Sequence, residues 1–170
     1  MSAVMDRPVW TADEALEQLY AAHWRQLVRL SVLLVRDQGL AEEIVQDAFV
    51  AVHGRWSRLR DPENALAYLR QAVVNRSRSA LRHRAVVNRH AASVRATDTP
   101  DPTPDTDRRE AVLEALRALP VRQREVLALR YYLDLSEAEI ADTLGISRGA
   151  VKSHASRGAA ALRALLEEDL

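Results

Sequence analysis

Apolar residues recur along this chain at three- and four-residue steps, with polar residues filling the gaps. Over 14–35 the apolar positions are Leu16, Leu19, Tyr20, Trp24, Leu27, Leu30 and Leu34, the stripe of an amphipathic helix. Gly39 follows, either ending that helix or opening the next turn. From 41 to 53, Ala41, Ile44, Val45, Ala48 and Val52 make a second apolar face, with Glu42, Glu43, Gln46, Asp47 and His53 largely off it. Asp61-Pro62 predicts a break, since proline disfavours helix at the residue before it and suits a helix's first turn. A third helix is predicted over about 63–84 from Leu66, Leu69, Val73, Val74 and Leu81. Nowhere do apolar and polar residues alternate with a period of two, so the predicted fold class is all-α.

The helical pattern stops between Arg95 and Arg108, where ATDTPDPTPDTD holds three prolines, four aspartates and no large apolar residue. Such a stretch cannot contribute to a core, and its prolines favour an extended chain. It divides the molecule into two small helical domains, 1–90 and 110–170, joined by a flexible linker at 91–109. Beyond it, Leu113, Leu116 and Leu119 mark one helix, Pro120 a break, and Val126, Leu127 and Leu129 another.

Local chemistry is most explicit from Ser136 onward. Ser136-Glu137-Ala138-Glu139 has capping-box spacing, in which serine and glutamate satisfy each other's free backbone N–H groups. The helix it opens carries Ile140 and Leu144 inward and stops at Gly145, the residue most tolerant of a left-handed cap. Ile146 can plug the junction and Ser147 can cap a second, longer helix. A short helix, a glycine turn and a longer helix form the helix-turn-helix plan. On the second helix Val151, Ala155 and Leu162 point one way, while Arg148, Lys152, Ser153, Ser156 and Arg157 gather on the other. Those five are side chains that bond phosphates and base edges, so they are the candidate DNA-reading face.

Charge sharpens the picture. The 170 residues have zero formal net charge, but the signs come in blocks. Residues 1–54 hold four arginines against eight acids, and residues 55–95 hold ten arginines against Asp61 and Glu63. Residues 96–114 then hold six acids against two arginines. A solvated helix mixes its signs, so the arginine block points to a polyanionic partner, nucleic acid before any other. The chain has no cysteine, hence no disulfide framework or thiolate chemistry. Glycine-rich phosphate loops, metal-ligand clusters and nucleophile–base patterns are all lacking, so neither an enzyme nor a cofactor or metal site is expected. Charged residues interrupt every apolar run before a membrane span's length, and the expected location is the cytoplasm.

With these residues in view, the chain resembles the extracytoplasmic-function sigma factors of bacterial RNA polymerase, most of all a subgroup common in actinobacteria. ALPVRQREVL at 118–127 and RYYLDLSEAEIADTLGISRGAVKSHASRG at 130–158 resemble the family's region 4. AEEIVQDAFV at 41–50 and AYLRQAVVN at 67–75 resemble its region 2. The resemblance implies that 1–90 grips the clamp of the polymerase largest subunit and melts and reads the −10 element. It implies that 110–170 reads the −35 element and touches the flap. Core RNA polymerase, promoter DNA and an anti-sigma factor are the implied partners. Glu43, Gln46 and Asp47 match the family's polymerase-contacting positions, and their i, i+3, i+4 spacing puts them on one helix face. Asn75 matches an asparagine near the −10 loop, itself expected at about 56–63 and including Arg60. Arg76, Arg78, Arg82 and Arg84, Arg82 foremost, would neutralise phosphates of the opening strand. Many relatives carry tryptophan where this chain has Tyr68. The rival reading is a one-component helix-turn-helix regulator, which would need a ligand cavity and lack the polymerase motif at 41–50.

Overall fold

The computed structural model describes residues 11–59, 61–90 and 104–168, with the side chains of 89 and 90 left aside. Seven helices and no strand occur among them: α1 (Ala12–Val35), α2 (Gln38–Leu59), α3 (Pro62–His90), α4 (Pro104–Ala118), α5 (Val121–Leu127), α6 (Glu137–Leu144) and α7 (Arg148–Glu168). A π-helical turn, Ala128–Tyr132, continues α5. Residues 91–103 of the expected linker lie outside the described residues.

The ends of these helices follow from local chemistry. Thr11 and Glu14 form a complete capping box at the start of α1, with both bonds at 3.2 Å. Arg36, at φ 54°, closes α1 in the left-handed region that a glycine would ordinarily take. The Asp37 carboxylate accepts from the Leu40 N–H at 3.0 Å, so α2 begins at Gln38 with Gly39 in its first turn. At the other end α2 runs to Leu59 and α3 starts at Pro62, so residues 56–59 and 62–63 of the expected 56–63 loop are helical instead. The reason is tertiary: Trp56 and Leu59 pack against the core and hold the last turn in register. Pro62 opens α3. Pro104 opens α4 inside the stretch expected to be linker, followed by Asp105 and Asp107 in the first turn. Proline there loses no hydrogen bond, and acids there meet the positive end of the helix dipole.

Helices α1, α2 and α3 pack on one another, and α7 packs on both α5 and α6. Leu27, Leu30, Val45, Val52, Leu69, Val73 and Val74 form the centre of the first group. Val126, Leu129, Ile140 and Val151 form that of the second. At the α1–α3 crossing the buried hydroxyls of Ser31 and Ser77 bond each other at 3.0 Å, so neither is left unpaired. The two groups share one continuous apolar cluster, joined where α1 meets the π turn and α3 meets α6. A second cluster, Leu116, Leu119 and Leu127, packs against Leu162 and Leu165 of α7 and against Leu33 of α1.

Candidate nucleic-acid and polymerase interfaces

The helix-turn-helix forms as its residues require. Ser136 caps α6, its hydroxyl accepting from the Glu139 N–H at 3.1 Å. The reciprocal half of the expected box differs: the Glu139 carboxylate accepts from the Ser136 hydroxyl at 3.0 Å. Gly145 ends α6 at φ 66°, and Ser147 accepts from the Ala150 N–H at 3.1 Å at the head of α7. Val151 and Ala155 are buried beneath α7. Gly158, which the faces of the helix did not single out, is buried as well. A Cβ there would come within 3.2 Å of the Gln123 and Leu127 side chains on α5, which would have to give by a few tenths of an ångström, so α7 and α5 cross closely at this glycine.

On the opposite side of α7, Arg148, Lys152, Ser153, Ser156 and Arg157 are all exposed. Lys152 is steadied by Glu137 at 3.8 Å, and Arg130 reaches the same carboxylate at 3.8 Å. The helix thus has an apolar side anchored to its partners and a polar side open to solvent. Beside it an apolar groove of about 460 Å³ runs between α5 and α7, lined by Leu127, Tyr131, Ala159, Leu162 and Leu166.

On α2, Ala41, Ile44, Val45, Ala48 and Phe49 are buried. Glu43, Gln46 and Asp47 are exposed together on the other face, and none of them enters an ion pair among the described residues. Their charge and hydrogen-bonding capacity are free for another molecule.

The arginines of α3 divide. Asn75, Arg76 and Arg82 are exposed. Arg78 is instead turned onto α5, where its Nε and Nη2 donate to one oxygen of Glu125 at 3.0 and 2.8 Å. The Glu125 side chain is only 2 % exposed; burial pushes its carboxyl above the ordinary value, against the pull of Arg78, Arg122 and Arg124. Arg84 donates to Asp37 and, at 3.2 Å, to the Val35 carbonyl. The Leu40 N–H and the Arg84 guanidinium hold the Asp37 carboxyl below its ordinary value, although partial desolvation opposes them. Thus Arg78 and Arg84 are bound internally, whereas Arg76 and Arg82 are open. Arg60 lies outside the described residues.

Arg124 is a structural tie that the sequence pattern did not reveal. Its guanidinium is buried and donates to the carbonyls of Leu34, Leu116, Arg117 and Leu119 at 2.8–3.1 Å. It therefore ties the end of α1 to the α4–α5 corner. Its neighbour Glu125 receives Arg78 from α3. The adjacent Arg-Glu pair in RQREVL was the only local sign, and adjacent charges alone do not predict burial. No described cluster of histidine, aspartate and glutamate is arranged to hold a metal. No described helix is long and apolar enough to cross a membrane.

These elements coincide with known families. Residues 19–86 match Sigma-70 region 2, and residues 109–162 match Sigma-70 region 4. An RNA polymerase sigma-E factor of Streptomyces avermitilis is 33 % identical over 83 % of this chain and 79 % of its own length. RNA polymerase sigma factor CarQ of Myxococcus xanthus is 32 % identical over 92 % of each chain. Among solved structures, CnrH in complex with the cytosolic domain of CnrY superposes with a TM-score of 0.72 at 25 % identity, covering 94 % of this chain and 97 % of that one. With both sigma regions present in order and full-length relatives of this kind, the chain belongs to the sigma-70 family, in its extracytoplasmic-function group.

Proposed function

We propose that this sigma factor joins core RNA polymerase in the cytoplasm, without enzymatic chemistry of its own, and directs it to promoters by reading two elements. Residues 1–90 act as the clamp-binding and −10 module, and 110–170 as the −35 module. The observation that carries the proposal is the free polar face of α7, five DNA-bonding side chains above a buried Val151–Ala155–Gly158 side. Arg148 and Lys152, one turn apart, read base edges in the major groove, with Ser153 and Ser156 beside them. Arg157, farther along, contacts phosphate.

Glu43, Gln46 and Asp47 meet basic side chains of the polymerase clamp. Their exposure and lack of internal ion pairs support this. Arg76 and Arg82 neutralise the opening strand, with Asn75 beside them and Arg60 at the −10 loop. Arg78 and Arg84 join them once their carboxylate partners release them. The Leu127–Leu166 groove of α5 and α7 suits an apolar element of the polymerase flap. An anti-sigma factor is a further partner, the sigma factor RpoE of similar fold having been solved in complex with the anti-sigma factor NepR from Bartonella quintana.

Promoter-specific initiation is the test. Core polymerase with this chain should transcribe a selected promoter, and either component alone should not. Tight footprinting of both elements by the free chain would defeat the division of labour, because two small modules need polymerase to fix their separation.

A further inference from the structure

The chain's 24 basic residues are 23 arginines and one lysine, Lys152. The difference is chemical. An arginine guanidinium stays protonated throughout the physiological range, whereas a lysine ammonium releases its proton readily enough to act as a nucleophilic amine. Among the side chains of these 170 residues, Lys152 alone can therefore end as a stable acyl amide.

The structure puts this amine on the exposed face of α7. The Lys152 side chain is 69 % exposed, and its Nζ stands 3.8 Å from the Glu137 carboxylate, its one ion pair among the described residues. Arg148 opens α7 one turn earlier, exposed and without an ion pair among the described residues. Residues four apart on a helix are neighbours, and the first turn carries the positive end of the helix dipole. A small phosphate-bearing dianion arriving there meets a free guanidinium, with an amine one turn beyond it and a carboxylate beside the amine. The chemistry that suits a DNA phosphate thus also suits an acyl phosphate, whose reactive carbonyl is bonded to a phosphate oxygen.

We propose that Lys152 is an acylation site, that its donor is an acyl phosphate held by Arg148, and that acylation turns off −35 reading. The last part rests on the proposed role of α7, whereas the acylation does not. The ammonium first gives up its proton, by way of the Glu137 carboxylate, to water. The amine lone pair attacks the carbonyl carbon, the C–N bond forms, and the C–O bond to phosphate breaks. Phosphate leaves with that electron pair and takes the second proton from nitrogen. The product amide has no charge and one N–H in place of three. Glu137, left with Arg130 alone, remains as an acid beside the reading face. A lost cation and an uncovered carboxylate both weaken binding to a polyanion.

The full-length chain is incubated with acetyl phosphate, freed of it, and combined with core polymerase. Peptide mass spectrometry follows the acetylated fraction at Lys152, and transcription from a selected promoter gives the activity of each protein relative to its own untreated form. In the wild type, acetylation should accumulate at Lys152, and activity at limiting holoenzyme should fall about tenfold, the equivalent of one base-edge contact. Lys152→Arg, open to acetylation on its α-amino group alone, should keep its untreated activity. Arg148→Ala should acetylate at Lys152 about threefold more slowly, as for the loss of one exposed ion pair. A Lys152 that stays unmodified, or an Arg148→Ala rate equal to that of wild type, overturns the site. An equal loss of activity in treated Lys152→Arg places the effect elsewhere and overturns the switch. Complete acetylation at Lys152 with full activity also overturns the switch if Lys152→Ala alters the −35 sequence selected, and overturns the reading role of Lys152 itself if it does not.

Discussion

Two basic surfaces of this protein use the same residue type in opposite ways. On α7 every candidate cation and hydroxyl is exposed, and among the described residues the one ion pair of that face, Lys152 with Glu137, is long at 3.8 Å. On α3 two of the four described candidate arginines are bound by carboxylates: Arg78 by buried Glu125, Arg84 by Asp37. Among the described residues no module packs on the α7 face, whereas α3 is a seam between modules. An arginine count therefore measures capacity for phosphate, and tertiary packing decides how much of that capacity is free.

The largest expected effect lies at the seam. Arg124→Met removes a buried guanidinium from four carbonyls. Bonds to a charged donor are worth about 1.5–3 kcal/mol each and the orphaned acceptors stay buried, so a loss of about 3 kcal/mol or more is expected. Urea denaturation of the full chain measures it, and a loss below 1 kcal/mol would mean the seam is not held by this residue.

On α7 the effect should fall on specificity. Arg148→Ala and Lys152→Ala should each cost about 1–3 kcal/mol at the preferred −35 sequence and relax selection at one base. Arg157→Ala should weaken all sequences alike and flatten the log–log salt dependence by about one unit. A randomised −35 library transcribed by each holoenzyme reports both. An unchanged selected sequence for Arg148→Ala and Lys152→Ala would misplace the reading face.

The acidic face of α2 gives a third contrast, since it is free like α7 but opposite in sign. Asp47→Arg should weaken competition for core polymerase about tenfold, roughly 1.4 kcal/mol, with Gln46→Ala milder and the fold intact in both. Equal competition by folded Asp47→Arg would remove Asp47 from the clamp interface.

The smallest effect separates bound from free arginines on one helix. Arg84→Ala loses bonds to Asp37 and the Val35 carbonyl and should cost about 1 kcal/mol of stability. Arg82→Ala, exposed, should leave stability within about 0.5 kcal/mol but slow promoter opening. Equal stability losses, with no difference in promoter opening, would erase the distinction drawn on α3.

Several features were legible in the sequence because their causes lie within a few residues. The stripe through Leu16, Leu19, Leu27 and Leu30 placed α1, and Ser147 and Gly145 placed the turn before α7. Glu43, Gln46 and Asp47 could be assigned to a free face from spacing alone, since a helix turns by a fixed angle per residue. The end of α2 was not legible: Gly54 and the polar residues after it look like a terminus, and only the packing of Trp56 and Leu59 extends the helix.

What tertiary structure alone decided is which polar groups the molecule keeps for itself. Arg78 and Glu125 are 47 residues apart, and Arg124 lies 90 residues from the carbonyl of Leu34. Within the sequence each looks like an ordinary solvated charge. Burial turns them into structural parts, because removing a charge from water is tolerable only beside a partner that replaces the lost hydration. That partner is chosen by how α1, α3 and α5 pack, which depends on the whole apolar cluster and on no local pattern.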